Sequence, residues 1–274
     1  MNIANVDFAI AQRHRLTDLF SDRSDGQEPS KDYYVDPKET DPYPVEWGDL
    51  NRLFGLVRLR RVTSVLEFGC GYSTAVLAHA LSRNERDFGV EAQQALRRTN
   101  PFELHVVDDM PEYVDIAKAR LTSDLRARCH FDISEVRMTT FNGRICSEYL
   151  KLPNICPDFI FLDGPGQYSA TGDVNGISTR HPDRTPMACD ILKIEHFLLP
   201  GTMLLIDGRT SNARFLKANL QREWRYEHDT ENEVHYFEMI EEPLGKWNRR
   251  QIEFCLGPDW RAKPLKPDYS KLVS

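Results

Sequence analysis

Four short apolar segments constrain this chain more than anything else in it. Each is closed by a glycine or an acidic residue, and each leads on to a helical pattern. The segment 62–68 ends in Gly69-Cys70-Gly71, 103–107 in Asp108-Asp109, 158–162 in Asp163-Gly164 and 202–206 in Asp207-Gly208. Buried parallel strands read as continuous apolar runs, and strands alternating with helices predict β-α-β units with helices on both faces of one sheet, a three-layer α/β sandwich. In such a sheet ligands bind at the carboxyl ends of the strands, near the point where strand order reverses. All four polar closures fall on that edge, which is the main reason to expect a site there.

The intervening pattern supports this frame. Leu50, Leu53, Phe54, Val57 and Leu59 recur at helical spacing from Trp47 onward. Ser73 and Thr74 are placed to cap a helix whose core face holds Val76, Leu77, Ala80 and Leu81. Residues 84–101 are polar and read as an insertion with its own short helix. Pro111 suits the first turn of a helix running to Leu121. Residues 129–150 alternate and contain Phe141-Asn142-Gly143-Arg144, a hairpin signal. A polar loop (165–184), helices near 187–197 and 212–220, and strands over 224–228 and 234–240 complete the reading. Residues 21–47 are polar yet carry Tyr33, Tyr34, Tyr43 and Trp47, as an arm lying over a surface or a site would. The predicted division is an arm or lid (1–45), a catalytic domain (46–240) and a C-terminal extension (241–274).

The turn Gly69-Cys70-Gly71-Tyr72-Ser73-Thr74 joins a strand to a helix. Its glycines let the backbone approach a ligand, and the helix N-terminus offers free N–H groups to an anion. Thr74 occupies the third position of a G-x-G-x-x-G dinucleotide fingerprint, and no P-loop sequence is present. What the segment resembles is the first motif of class I S-adenosylmethionine-dependent methyltransferases, acidic-x-Gly-x-Gly, matched by Glu67-Phe68-Gly69-Cys70-Gly71. Gly71-Tyr72-Ser73 is similar to the Gly-Tyr-Ser of the catechol and caffeoyl-CoA O-methyltransferase branch. Val106 to Glu112 resembles the second motif, and 158–164 and 198–208 resemble the fourth and fifth strand motifs. The matches run in order from about residue 46 to 240. The resemblance implies a Rossmann-like three-layer sandwich with a mostly parallel seven-stranded sheet and an antiparallel last strand. It also implies S-adenosyl-L-methionine as cofactor: Gly69 and Gly71 under its methionine part, Ser73 at its carboxylate, Asp108 on its ribose hydroxyls, and Glu67 and Asp109 beside them. The gap from Gly71 to Asp108 is longer than the family's usual first unit, and no adenine-binding residue can be placed.

On the acceptor side, Asp163 and Asp207 end strands expected to be neighbours, so Mg²⁺ held by this pair is one expectation; a pair of Asp207 with Arg209 is the other. His181, alone in the polar loop, is the general-base candidate. Asp163, His181 and Arg209 form the catalytic set, with Asp190 and Asn212 as further hydrogen-bonding groups for a polyhydroxylated acceptor. The remaining histidines, on predicted helices or strands, read as structural. The leading reading is O-methylation of a small polar or sugar-like molecule. An aminopropyl transferase on the same scaffold, and an inactive methyltransferase-fold interaction protein, stay open.

Composition removes other classes. Lys and Arg total 35 against 42 Asp and Glu, a net charge of -7, which argues against a nucleic-acid partner. The one dense basic run, Arg58-Leu59-Arg60-Arg61, reads as a solvated helix end. Six cysteines without C-x-x-C or close Cys/His spacing argue against a structural zinc and suit reduced thiols in a cytoplasm. No apolar run is long enough for a membrane span and no signal pattern opens the chain. A homo-oligomer is compatible with all of this.

Overall fold

The computed structural model describes residues 3–20 and 45–266, so the tyrosine-bearing part of the arm lies outside the described residues. In chain order the elements are α1 (Ile3–Arg13), α2 (Trp47–Leu59), β1 (Ser64–Phe68), α3 (Tyr72–Ala95), β2 (Glu103–Asp108), α4 (Pro111–Ala119), α5 (Ser123–Arg126), β3 (Cys129–Ile133), β4 (Val136–Phe141), β5 (Arg144–Tyr149), β6 (Phe159–Leu162), α6 (Asp190–Ile194), β7 (Met203–Asp207), α7 (Thr210–Asn219), β8 (Trp224–Asp229), β9 (Val234–Met239) and α8 (Gly245–Cys255). One seven-stranded sheet runs β3-β2-β1-β6-β7-β9-β8, parallel from β3 to β7, with β9, the last strand in sequence, antiparallel to both neighbours. This is the Rossmann-like sandwich that the resemblance implies. No helix among the described residues is long and apolar enough to cross a membrane.

The central strands are buried on both faces because alternate residues feed two cores. Val65, Leu104, Val106, Phe159, Phe161, Met203 and Leu205 face the layer of α1, α2, α3 and α8. Leu66, Phe68, Val107, Ile160, Leu162, Leu204 and Ile206 face the layer of α6, α7 and the β4–β5 hairpin. Each fully buried Leu, Ile or Phe contributes about 1.5–3 kcal/mol, so these central strands fix the register from which the site is hung.

Four expectations change. Residues 84–95 are no insertion: α3 continues unbroken to Ala95. The buried Asn84 holds it there, its amide donating to the carbonyls of Val57 (3.0 Å) and Val62 (2.9 Å). The polar residues that follow are the wet face of the same helix, which also accounts for the long gap between Gly71 and Asp108. Residues 129–133 pair with β2 inside the main sheet, and only 136–149 form the hairpin. Its turn places Asn142 (φ 47°) and Gly143 (φ 75°) both in the left-handed region, as a two-residue hairpin turn requires. The helix expected over 187–197 is shorter because Met187 and Cys189 pair instead with Ser147 of β5. The basic run is not a solvated end: Arg58 pairs with Asp87 (2.6 Å), Arg60 with Glu238 (2.7 Å), and Arg61 lies over the Phe88 ring.

Three helices were not foreseen: α1, α8 and the single turn α5, which Thr122 caps. Helix α1 lies on α2 with Phe8 edge-on to Trp47 (5.7 Å), and the segment after it brings Phe20 edge-on to Tyr72 (4.9 Å) at the glycine turn. Helix α8 adds Ile252, Phe254 and Cys255 to the first core.

Candidate active site

Strand order reverses between β1 and β6, whose neighbours continue the sheet in opposite directions. Here the glycines have separate tasks. Gly69 has φ 86°, and a Cβ on it would lie 3.0 Å from the backbone of Asp163 and Gly164. A Cβ on Gly164 would in turn lie 2.5 Å from the Gly69 nitrogen and 2.6 Å from the Tyr149 hydroxyl. These two glycines let the ends of β1 and β6 touch. Gly71 differs: among the described residues nothing lies within 4 Å of the place its Cβ would occupy. Among those residues the space above it is open, as a turn that passes under a ligand needs.

Glu67 lies beneath this turn, fully buried. Its two oxygens accept from the hydroxyls of Ser73 (2.6 Å) and Thr74 (2.8 Å), and Thr74 Oγ1 accepts from the Gly71 N–H (3.1 Å). The cap of α3 is therefore Gly71 with Thr74 reaching back, rather than Ser73 or Thr74 at the cap position. Burial pushes the Glu67 carboxyl up to about 8, against the pull of both hydroxyls. The Ser73 hydroxyl is turned inward, so what the first turn of α3 offers an anion is backbone N–H groups without intrahelical acceptors.

Across the cleft, Asp108 ends β2 nearly buried. Its Oδ1 accepts from the Met110 N–H (2.8 Å) and its carboxylate also accepts from Cys70, tying the two loops together. Burial raises it to about 6, with those hydrogen bonds opposing. Asp109 faces the polar loop, where the Ser169 hydroxyl donates to it and Arg209 lies close; burial raises it too. The Tyr149 hydroxyl, buried beside Gly164, has no hydrogen-bond partner among the described residues. Burial and the surrounding acids raise it well above the ordinary phenol value, so it stays an O–H donor. The open space over Gly71, the free helix amides and this unmatched hydroxyl beside the turn fit a polar ligand such as S-adenosylmethionine.

On the acceptor side, Leu162 pairs with Ile206, so Asp163 and Asp207 are the next positions on neighbouring strands. Their carboxylates are drawn apart by different cations. Arg209 Nε reaches Asp163 Oδ1 (3.3 Å), and its other nitrogens donate to the carbonyls of Asp163 and Pro165. Arg52 Nη1 donates to Asp49 Oδ1 (2.6 Å) and lies 3.9 Å from Asp207 Oδ2. Burial and Asp49 raise Asp207. Arg209 thus pairs with Asp163, and not with Asp207 as expected. Among the described residues these carboxylates join no third metal ligand. Each carboxylate faces an arginine cation in place of a shared metal position, so the geometry does not support Mg²⁺.

His181 is not brought to this cluster: it is exposed, and its Nδ1 accepts from the Asp183 N–H (3.1 Å) within its own loop. Asn212 is fully buried, with both ends of its amide clasping Ala188 (2.9 and 3.0 Å), so it anchors the polar loop to α7 and has nothing left for an acceptor. Asp190 is equally buried and accepts from the Tyr149 N–H (3.0 Å). Sequence reasoning missed Asp49, Arg52 and Tyr149. The only available signal was a charged pair three residues apart on an otherwise apolar helix face.

No protein-family model matches the chain, and no curated protein does. Among solved structures it is similar to the O-methyltransferase TomG from Streptomyces achromogenes, involved in tomaymycin synthesis and solved with SAM (15% identity, 88% of this chain and 91% of that one, TM-score 0.40). It is also similar to an O-methyltransferase from Bacillus cereus solved with SAH (14%, 86% and 91%, TM-score 0.40) and to the SAH-bound methyltransferase PaMTH1 of Podospora anserina (13%, 72% and 80%, TM-score 0.43). Likenesses this distant carry no weight for activity. By its own sheet and the motifs on its carboxyl edge, the chain resembles class I S-adenosylmethionine-dependent methyltransferases.

Proposed function

We propose that this protein is an S-adenosylmethionine-dependent methyltransferase acting on a hydroxyl oxygen of a small polar or sugar-like acceptor. The observation that carries the reading is the turn at the switch point: open above Gly71, braced from below by Glu67, with Asp108 across from it. Bound there, the cofactor supplies an electrophilic methyl group. Gly71 leaves room for its methionine part, the first-turn amides of α3 face its carboxylate, and Asp108, ionised above about pH 6, accepts from its ribose hydroxyls. Asp163 is exposed at the carboxyl end of β6, one oxygen held by Arg209. Its other oxygen can accept the acceptor's hydroxyl proton while Arg209 fixes the carboxylate in place.

Transfer of labelled methyl from S-adenosylmethionine to a panel of sugars, polyols and phenols tests this. The expected product carries the label in a base-stable ether. Cofactor binding without transfer to any hydroxyl would overturn the O-directed reading. The acidic surroundings of Asp207, with Asp49 and Glu46 close by, favour one second reading, an aminopropyl transferase on a cationic amine. Mass analysis of products from decarboxylated S-adenosylmethionine and a polyamine separates the two.

A further inference from the structure

We propose that Glu103, His105 and His130 form a binding site for a transition-metal cation of the zinc class, clipping the edge strand β3 to β2. His105 and His130 sit opposite each other in the parallel ladder, and their rings stack at 4.6 Å with 18° between planes. Glu103 precedes His105 by two residues and so projects from the same face of β2. Both imidazoles aim Nε2 at its carboxylate, His105 at 3.6 Å from one oxygen and His130 at 3.4 Å from the other.

Those separations decide between two readings. They exceed the roughly 2.7–3.2 Å of a good N–H···O hydrogen bond. Ligand atoms bonded at about 2.0–2.1 Å to one tetrahedral zinc lie about 3.3 Å from each other. All three ligand atoms fall within 4.8 Å of one another, so a single cation can be reached from this arrangement with small side-chain movements.

The donor set selects the ion. Two imidazoles and a carboxylate suit Zn²⁺, Co²⁺, Ni²⁺ or Cu²⁺, whereas Mg²⁺ prefers oxygen alone. His130 is 46% exposed, which leaves an entry path and a fourth position for water. Asp132, two residues beyond His130 on the same face, adds negative charge but is held by Lys151. The site is independent of the cofactor cleft: Glu103 and His105 precede Asp108 by five and three residues, roughly 16 and 10 Å along the strand. The absence of close Cys/His spacing had argued against structural zinc. The register between two strands assembles these ligands instead, from residues 25 positions apart.

The test uses the full chain, stripped with EDTA, dialysed and titrated with Zn²⁺ in a calorimeter. The wild type should bind one equivalent with micromolar affinity, and Zn²⁺ should raise its melting temperature. His130→Asn should weaken binding at least about tenfold and abolish the thermal shift. Glu103→Gln provides the same comparison should His130→Asn fold poorly. No binding by the wild type, or equal binding by wild type and variants, would overturn the site.

Discussion

Strand β6 carries an aspartate at each end, and the two do opposite work. Asp158, just before the strand, is nearly buried and fully engaged. It accepts from the N–H groups of Thr63 (3.0 Å) and Ser64 (2.6 Å) and from the Thr63 hydroxyl (2.8 Å), with Arg98 at 3.7 Å. Asp163, just after the strand, is 54% exposed and held on one oxygen by Arg209. The amino edge of the sheet spends its carboxylate on the fold. The carboxyl edge keeps one available and surrounds it with Glu67, Asp108 and Asp207, all raised by burial. The same residue type, five positions apart, thus separates a structural end of the sheet from a chemical one.

The largest expected effects break this contrast most directly. Asp158→Ala strands two N–H groups, a hydroxyl and a cation, and should cost about 3–5 kcal/mol, seen as a fall of about 10 °C in melting temperature. Its folded fraction should bind cofactor normally. Asp163→Ala should shift stability by less than about 1 kcal/mol while methyl transfer falls about 100-fold. Comparable destabilisation by both would erase the distinction.

The glycines sharpen it next. Gly69→Ala forces a side chain into the left-handed region and against Asp163, and should cost about 2–3 kcal/mol in a denaturant melt. Gly71→Ala meets open space, so stability should change by under about 1 kcal/mol while S-adenosylhomocysteine affinity falls about tenfold through obstruction of the cleft.

Glu67→Gln should act on pH dependence. Raised from 4.5 to about 8, Glu67 binds its proton more tightly folded than unfolded. Its contribution is therefore full below about pH 4.5 and is lost as pH rises toward 8. The neutral amide lacks this loss, so melting curves between pH 5 and 8.5 should decline less steeply in the variant, by a few degrees over the range.

Much of this was legible in the sequence because it rests on local pattern. The strand ends at Gly69, Asp108, Asp163 and Asp207 follow from apolar runs stopped by glycine or acid, and the hairpin turn from Asn142-Gly143. What was not legible rests on distant pairing. Asn84 reads as the start of a polar insertion until Val57 and Val62 supply its partners within α3. Asp163 and Asp207 read as a metal pair until Arg209, just before α7, and Arg52 of α2 claim them. Asn212 reads as a surface ligand until Ala188 closes on it. In each case the residue type was visible and the partner was not.

Calorimetric titration of S-adenosylhomocysteine into the wild type and Asp108→Ala, at pH 7.5 and again at pH 5, tests the carboxyl-edge site most directly. One-to-one binding by the wild type is expected, weaker at pH 5 where Asp108 is protonated, and at least about tenfold weaker in Asp108→Ala at pH 7.5. A folded wild-type protein that binds none of the ligand, or an Asp108→Ala variant that binds as tightly, would contradict it.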